Sequence, residues 1–374
     1  MSRLLFDLIP ALAERMPHVT LGVWPSAIDR VEVNGQTFFA KREDLSTEGY
    51  AGNKIRPLEL VFGEARTRGA NEVWATGAWG SNHALATVVH AERAGLAAGA
   101  LLWSQPRSKT AVDNLRATIA AADYVRWAPS IVAMPLMGLW IGQRRKALVM
   151  APGAATPYYA LGHAQGALEL AVQMKELGCD EVGTIVLPVG STCTTVGLLV
   201  GTALAAKLGL VKTTPMIEAV RVTPWPVTSA FRIARMAVAS AELLGSLGGP
   251  RLDLTLRSVL ARLRVKGDEL GGGYGEPTPD GWRAIATHLD AEMSIERVAP
   301  GGLDPDVTRP LRLDTTYSAK GAAYLMKALP TASKPVVFWM TKSAWPLPSP
   351  DLLREAAAPT VVRRWLAGPL ASLG

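Results

Sequence analysis

Cysteine is scarce: Cys179 and Cys193 are the two in the chain, which rules out a disulfide framework and fits a reducing, cytoplasmic setting. Long lipid-compatible runs are lacking too. The longest uncharged stretch, residues 183–206, is interrupted by Pro188, Gly190 and a Ser191-Thr192-Cys193-Thr194-Thr195 cluster. It reads as a buried strand, a glycine-led loop and a buried helix, and no membrane association is expected. The amino-terminal residues are apolar but broken by Asp7, Pro10 and Glu14, so no signal peptide is expected. Nor is there a basic stripe. The net charge of +7 is scattered apart from Arg144-Arg145-Lys146 and Arg363-Arg364, so nucleic acid is not an expected partner. That balance does suit an anionic cofactor or substrate. No metal site is expected.

What the chain does have is apolar bulk. Hydrophobic residues make up 49% of its 374 positions, enough for a large core and long enough for two domains. Short β-rich runs alternate with helical stretches, the pattern of an α/β protein with mainly parallel sheets. Residues 31–33 and 37–41 read as a hairpin turning at Asn34-Gly35. Helices are expected over 55–68, 82–94, 110–122, 160–177, 195–208 and 231–247. Strands are expected over 72–76, 99–103, 184–188, 218–223 and 335–339. Residues 265–279, with Gly271-Gly272-Gly273, read as a functional loop or connector.

Chemistry concentrates at a few of the junctions. Lys41-Arg42-Glu43-Asp44 is followed by Gly52-Asn53-Lys54-Ile55-Arg56, which puts a lysine at the start of a helix. Helix N-termini favour anions, so a cation there is disfavoured and its amine is biased toward the neutral, nucleophilic form. Gly77-Ala78-Trp79-Gly80-Ser81-Asn82-His83 lies at a strand-to-helix turn, where exposed N–H groups bind anions such as a carboxylate. Taken alone, Ser81 also reads as a simple helix N-cap. Gly190-Ser191-Thr192-Cys193-Thr194-Thr195 leads from a strand into a helix, a cup for phosphate, although the Gly-Lys-Ser/Thr of a Walker A loop is absent. Cys193 reads as a packed small residue rather than a nucleophile.

These segments, with Gly273-Tyr274-Gly275-Glu276-Pro277 and Asp314-Thr315-Thr316-Tyr317-Ser318, resemble the 1-aminocyclopropane-1-carboxylate (ACC) deaminase and D-cysteine desulfhydrase family of pyridoxal 5′-phosphate (PLP) enzymes. The resemblance runs from about residue 21 to 340. It implies that Lys54 carries PLP as a Schiff base and that Gly190, Ser191, Thr192 and Thr194 hold its phosphate. It places Asn82 at the phenolic oxygen of PLP, Ser81, Asn82 and His83 at the substrate carboxylate, and Tyr274 and Tyr317 on the substrate side, as acid, base or nucleophile. A phenol beside a cationic cofactor is expected to ionise more readily. Ser318 follows Tyr317 where the deaminases have glutamate and the desulfhydrases threonine. A hydroxyl opposite the pyridine nitrogen suits β-elimination better than cyclopropane opening.

Departures are evident at Ala51, Gly80, the Ala84-Leu85-Ala86 continuation, Thr315, the inserted-looking stretch 301–310, and Lys342-Ser343, where the family has two glycines. Lys342 is expected at the surface. The implied fold is tryptophan synthase β-subunit-like, with two open, twisted, mainly parallel sheets and PLP between them. A large domain would comprise 1–70 plus 166–374 and a small one 71–165. The implied activity is a PLP-dependent lyase on a small amino acid: D-cysteine desulfhydrase-like α,β-elimination giving pyruvate, ammonia and sulfide. An ACC deaminase, a divergent PLP enzyme on a bulkier substrate and a catalytically decayed PLP-binding protein stand as alternatives. A homodimer is implied as well.

Overall fold

The computed structural model describes residues 3–289, 293–303 and 309–369. Asn34 and Gly35 both take positive φ, 49° and 69°, so β1 (Ile28–Val33) and β2 (Gln36–Lys41) close into a tight antiparallel hairpin. The chain then builds β3 (Glu72–Ala78), β4 (Ala97–Trp103), β5 (Tyr124–Trp127) and β6 (Ala147–Val149). These four pair in parallel in the order β5-β4-β3-β6. Next come β7 (Thr184–Val189), β8 (Met216–Arg221), β9 (Leu263–Lys266), β10 (Ser294–Ala299) and β11 (Val336–Trp339). With the hairpin they form a seven-stranded sheet in the order β10-β1-β2-β11-β7-β8-β9, parallel from β2 through β9.

Parallel strands are covered on both faces, which is why β7, Thr-Ile-Val-Leu-Pro-Val, is buried throughout. The helices Pro157–Glu176 and Cys193–Lys207 cross closely beside it. A Cβ on Gly197 would lie 2.3 Å from the carbonyl oxygen of Ala160, so only glycine permits that approach. The uncharged stretch thus resolves into strand, loop and helix as its composition implies. Among the described residues no helix is long and apolar enough to cross a membrane.

The expected 82–94 helix ends at His90 and continues as a 3-10 turn, Glu92–Ala94. Of the expected loop over 265–279, the first two residues belong to β9 and the remainder is irregular up to the helix Pro279–Leu289. Residues 304–308 of the inserted-looking stretch lie outside the described residues.

Candidate active site

Lys54 is the N-cap of the helix Ile55–Thr67, and the approach to it is tightly defined. Gly52 has φ +109°, and a Cβ there would come within 2.6 Å of the Thr341 carbonyl oxygen. That close approach lets the Asn53 N–H donate to the same oxygen at 3.0 Å. Downstream, Arg56 is gripped by Glu43 (2.7 and 2.8 Å) and Glu169 (3.0 and 2.7 Å) and stacks 3.8 Å over Trp24. Lys41 donates to Ser26 O and Gln173 Oε1, and Arg42 pairs with Asp29 and Asp44. The Lys-Arg-Glu-Asp motif is therefore a fully buried ionic frame that fixes the first turn of the Lys54 helix.

Lys54 projects into a cavity of about 510 Å³ between the two sheets. Its Nζ lies 3.2 Å from Ser191 Oγ and 3.5 Å from Gly153 O. Burial lowers its pKa, opposed by the nearby Cys193 thiol. The cavity is also lined by Asn53, Ser81, Asn82, His83, Gly190, Ser191, Thr192, Thr194, Tyr274 and Tyr317, so the sequence motifs converge on one space.

The loop after β7 supplies hydroxyls and the N-terminus of the helix Cys193–Lys207. Thr192 caps that helix with φ +79°, an uncommon conformation for a β-branched residue. Thr194 Oγ1 accepts from Asn53 Nδ2 at 2.7 Å. Cys193 is buried with its Sγ 3.3 Å from Ala154 O, and burial pushes the thiol up to about 11, consistent with a packed role.

Ser81 is a helix N-cap, its Oγ accepting from Ala84 N at 3.2 Å, and it faces the cavity as well. Asn82 Oδ1 accepts from Tyr50 Oη (2.9 Å) and Asn114 Nδ2 (2.6 Å). Both bonds engage the amide oxygen and leave the amide nitrogen as the group to donate into the cavity. Lys342 joins this network, 3.4 Å from both Tyr50 Oη and Asn114 Oδ1. The expected surface position for Lys342 is thus corrected. The Gly52–Lys342 bridge turns its side chain inward, and burial lowers its pKa.

The Tyr274 and Tyr317 hydroxyls are in hydrogen-bond contact, with their rings edge to face at 6.1 Å. Burial pushes Tyr274 up to about 12, and burial with Tyr274 and Asp314 nearby raises Tyr317 well above its ordinary value. The neighbouring protein groups thus raise both phenols, which are protonated at neutral pH; the easier ionisation expected beside a cationic cofactor belongs to the loaded site. Ser318 is fully buried behind Tyr317 and is not among the lining residues; its Oγ donates to Asp314 Oδ2 at 2.8 Å.

Sequence reasoning missed the 151–155 segment after β6, where Gly153 (φ +66°) offers its carbonyl oxygen to Lys54. It missed Thr341, and Trp103, Ile131, Thr223, Pro226, Val227 and Arg232 on the cavity wall. Many of these follow the carboxyl ends of parallel strands, the one general signal available.

Several buried wall atoms have no hydrogen-bond partner among the described residues: Oγ1 of Thr192, Thr195 and Thr341, and both ring nitrogens of His83. Burying such groups unpaired is costly, so their clustering around a lysine amine and a helix N-terminus marks a place for a polar ligand. An aldehyde-bearing, phosphorylated group fits this donor set.

Two α/β sheets with a lysine-bearing cavity between them define the architecture of the fold type II PLP enzymes, and a solved ACC deaminase homologue shares it. That homologue superposes with a TM-score of 0.67 at 24% identity, covering 91% of this chain and 95% of its own. A model of the pyridoxal-phosphate dependent enzyme family matches residues 20–266, and the chain belongs to that family; its cofactor is PLP. A Pyrococcus abyssi protein, provisionally named 1-aminocyclopropane-1-carboxylate deaminase, is 36% identical over 52% of this chain, a match that spans 62% of that relative's length. The nocardicin C-9′ epimerase of Nocardia uniformis subsp. tsuyamanensis is 28% identical over 88% of this chain and 93% of its own length.

Proposed function

We propose that this enzyme is a lyase that removes the α-proton of an amino acid and expels a β-substituent, as in D-cysteine desulfhydration to pyruvate, ammonia and sulfide. One observation carries the reading: an amine depressed by burial, Lys54, shares its cavity with two protonated phenols in mutual contact. When bound through Lys54, PLP supplies an electron sink for the α-carbon. Gly190, Ser191, Thr192 and Thr194 would hold its phosphate at the helix N-terminus. Asn82 would donate from Nδ2 to its phenolic oxygen; Ser318, expected at its ring nitrogen, instead donates its buried hydroxyl to Asp314 behind Tyr317 and lies outside the cavity lining. Ser81, Asn82 and His83 bind the substrate carboxylate. Burial pushes His83 down to about 3, so its imidazole is neutral and donates a single N–H.

Lys54, its pKa lowered by burial, would accept the α-proton at Nζ. Tyr274 or Tyr317, held protonated, passes a proton to the departing sulfur. Epimerisation at the α-carbon is a second reading, favoured by the match to the Nocardia enzyme over most of both chains. It needs the same proton removal, followed by return to the opposite face. A homodimer is part of the proposal, and light scattering tests it.

The deciding experiment adds D-cysteine to the purified holoenzyme and follows its visible spectrum, pyruvate and sulfide, in parallel with α-proton exchange in deuterium oxide. Equal yields of pyruvate and sulfide support elimination. Exchange without pyruvate replaces it with epimerisation. Neither exchange nor product, for D-cysteine, ACC and cysteines carrying larger S-substituents alike, overturns the lyase reading.

A further inference from the structure

The cavity wall changes character with depth. At its floor the lining is polar and buried: Asn53, Asn82, His83, Thr194 and Thr195 are each less than 9% exposed. At its mouth the lining is apolar and open. Trp103 and Ile131 come from the four-stranded side, Pro226 and Val227 from the segment after β8, and Ile131 is 53% exposed. Next to them in the chain, Val132 and Trp225 are 81% and 72% exposed. Single exposed apolar residues need no explanation, but two such segments facing one cavity from both sheets form a patch of the kind that binds ligands. No carboxylate lines the cavity among the described residues, and the charged groups on its wall, Lys54 and Arg232, are cationic.

From this gradient we infer that the substrate is an amino acid whose β-substituent is bulky, apolar and without positive charge, such as an S-aralkyl cysteine. The inference rests on the elimination reading and specifies its leaving group. The α-amino and α-carboxylate groups meet the polar floor, and the substituent reaches the mouth, where a free cysteine side chain would leave the apolar rim in water. The bonds balance without an oxidant or reductant. The α-proton goes to Lys54, its electron pair forms the Cα–Cβ double bond, and the Cβ–S bond breaks with its pair on sulfur, which takes a proton from a tyrosine. Water then converts the released enamine to pyruvate and ammonia.

The test gives the holoenzyme both enantiomers of cysteine, S-benzylcysteine and S-(2-aminoethyl)cysteine, measuring thiol and pyruvate. S-benzylcysteine is expected to surpass cysteine in kcat/KM by about tenfold or more, and the aminoethyl compound to fall below both. The Ile131→Ser/Val227→Ser double variant is expected to raise KM for S-benzylcysteine about tenfold while kcat holds. Elimination of cysteine with no preference for the benzyl compound overturns the inference and leaves the lyase reading standing. If no thiol is eliminated from any of them, the lyase reading fails, and binding decides the inference by perturbation of the visible band. Tighter binding of S-benzylcysteine then upholds the apolar subsite, and equal or weaker binding overturns it.

Discussion

Arg56 and Lys54 stand two residues apart, and polar groups are buried around them in opposite ways. Arg56 sits among Glu43, Glu169, Lys41 and Gln173, where every buried side-chain donor and acceptor has a partner among the described residues. Burial works against the Glu169 carboxyl, yet Arg56 and Lys41 hold it down at about 2. Around Lys54 no carboxylate stands among the described residues, and His83, Thr192, Thr195 and Thr341 keep polar atoms unpaired among them. The difference separates framework from function. A satisfied network locks a helix in place, whereas unsatisfied atoms at the end of that helix are held ready for a ligand.

The strongest way to break this contrast is Lys54→Ala. Loss of the amine is expected to lower turnover about 10³-fold or more, and borohydride reduction of the holoprotein should no longer attach PLP to the peptide containing residue 54. Folding should survive, because among the described residues no carboxylate is paired to that amine. Arg56→Leu attacks the other side. It strands Glu43 and Glu169 in the core, and denaturant melts should show a loss of about 3–5 kcal/mol. A wild-type midpoint for that variant would mean the frame is ornamental.

Acid separates the two regions by window. The His83 imidazole is depressed to about 3 from an ordinary value near 6.5, so the unfolded chain binds the extra proton first. Its contribution is complete above pH 6.5 and is lost as the pH falls toward 3, at no more than about 1.4 kcal/mol per pH unit. His90, depressed to about 4, falls in the same window, whereas Glu169 matters below pH 4.5. His83→Asn should therefore lessen the slope of the stability curve between pH 6.5 and 4.5, where His90 and the buried His163 keep part of it, and leave the loss carried by Glu169 below it. An unchanged upper limb would remove His83 from the account. The smallest effect is expected from Thr192→Gly. Relief of the positive φ should raise thermal stability by about 1 kcal/mol, read as a higher Tm.

Much of this was legible beforehand because local rules carry it. Asn34-Gly35 turns a hairpin wherever two strands flank it, and the glycine before Lys54 marks a turn into a helix. The motif residues were legible through family resemblance, although the part played by Lys41-Arg42-Glu43-Asp44 was not. The ion pair of Lys41 with Glu169 and its hydrogen bond to Gln173 reach across more than a hundred residues, and spacing along the chain holds no trace of them. Lys342 misled for the same reason, since a lysine after a short strand reads as solvated until the facing Tyr50 and Asn114 are known.

By itself, then, the sequence determined the alternation of strands and helices, the turn glycines, and the lysine, asparagine and tyrosines around which PLP chemistry can be organised. Those depend on backbone preference and on side-chain chemistry that each residue carries wherever it is placed. Only the tertiary structure decided which polar groups are satisfied and which are left open, how far burial moves each proton, and that apolar residues from both sheets meet at one mouth. Hydrogen bonding, desolvation and cavity shape are properties of neighbours brought together by packing, and most of those neighbours are distant in the chain.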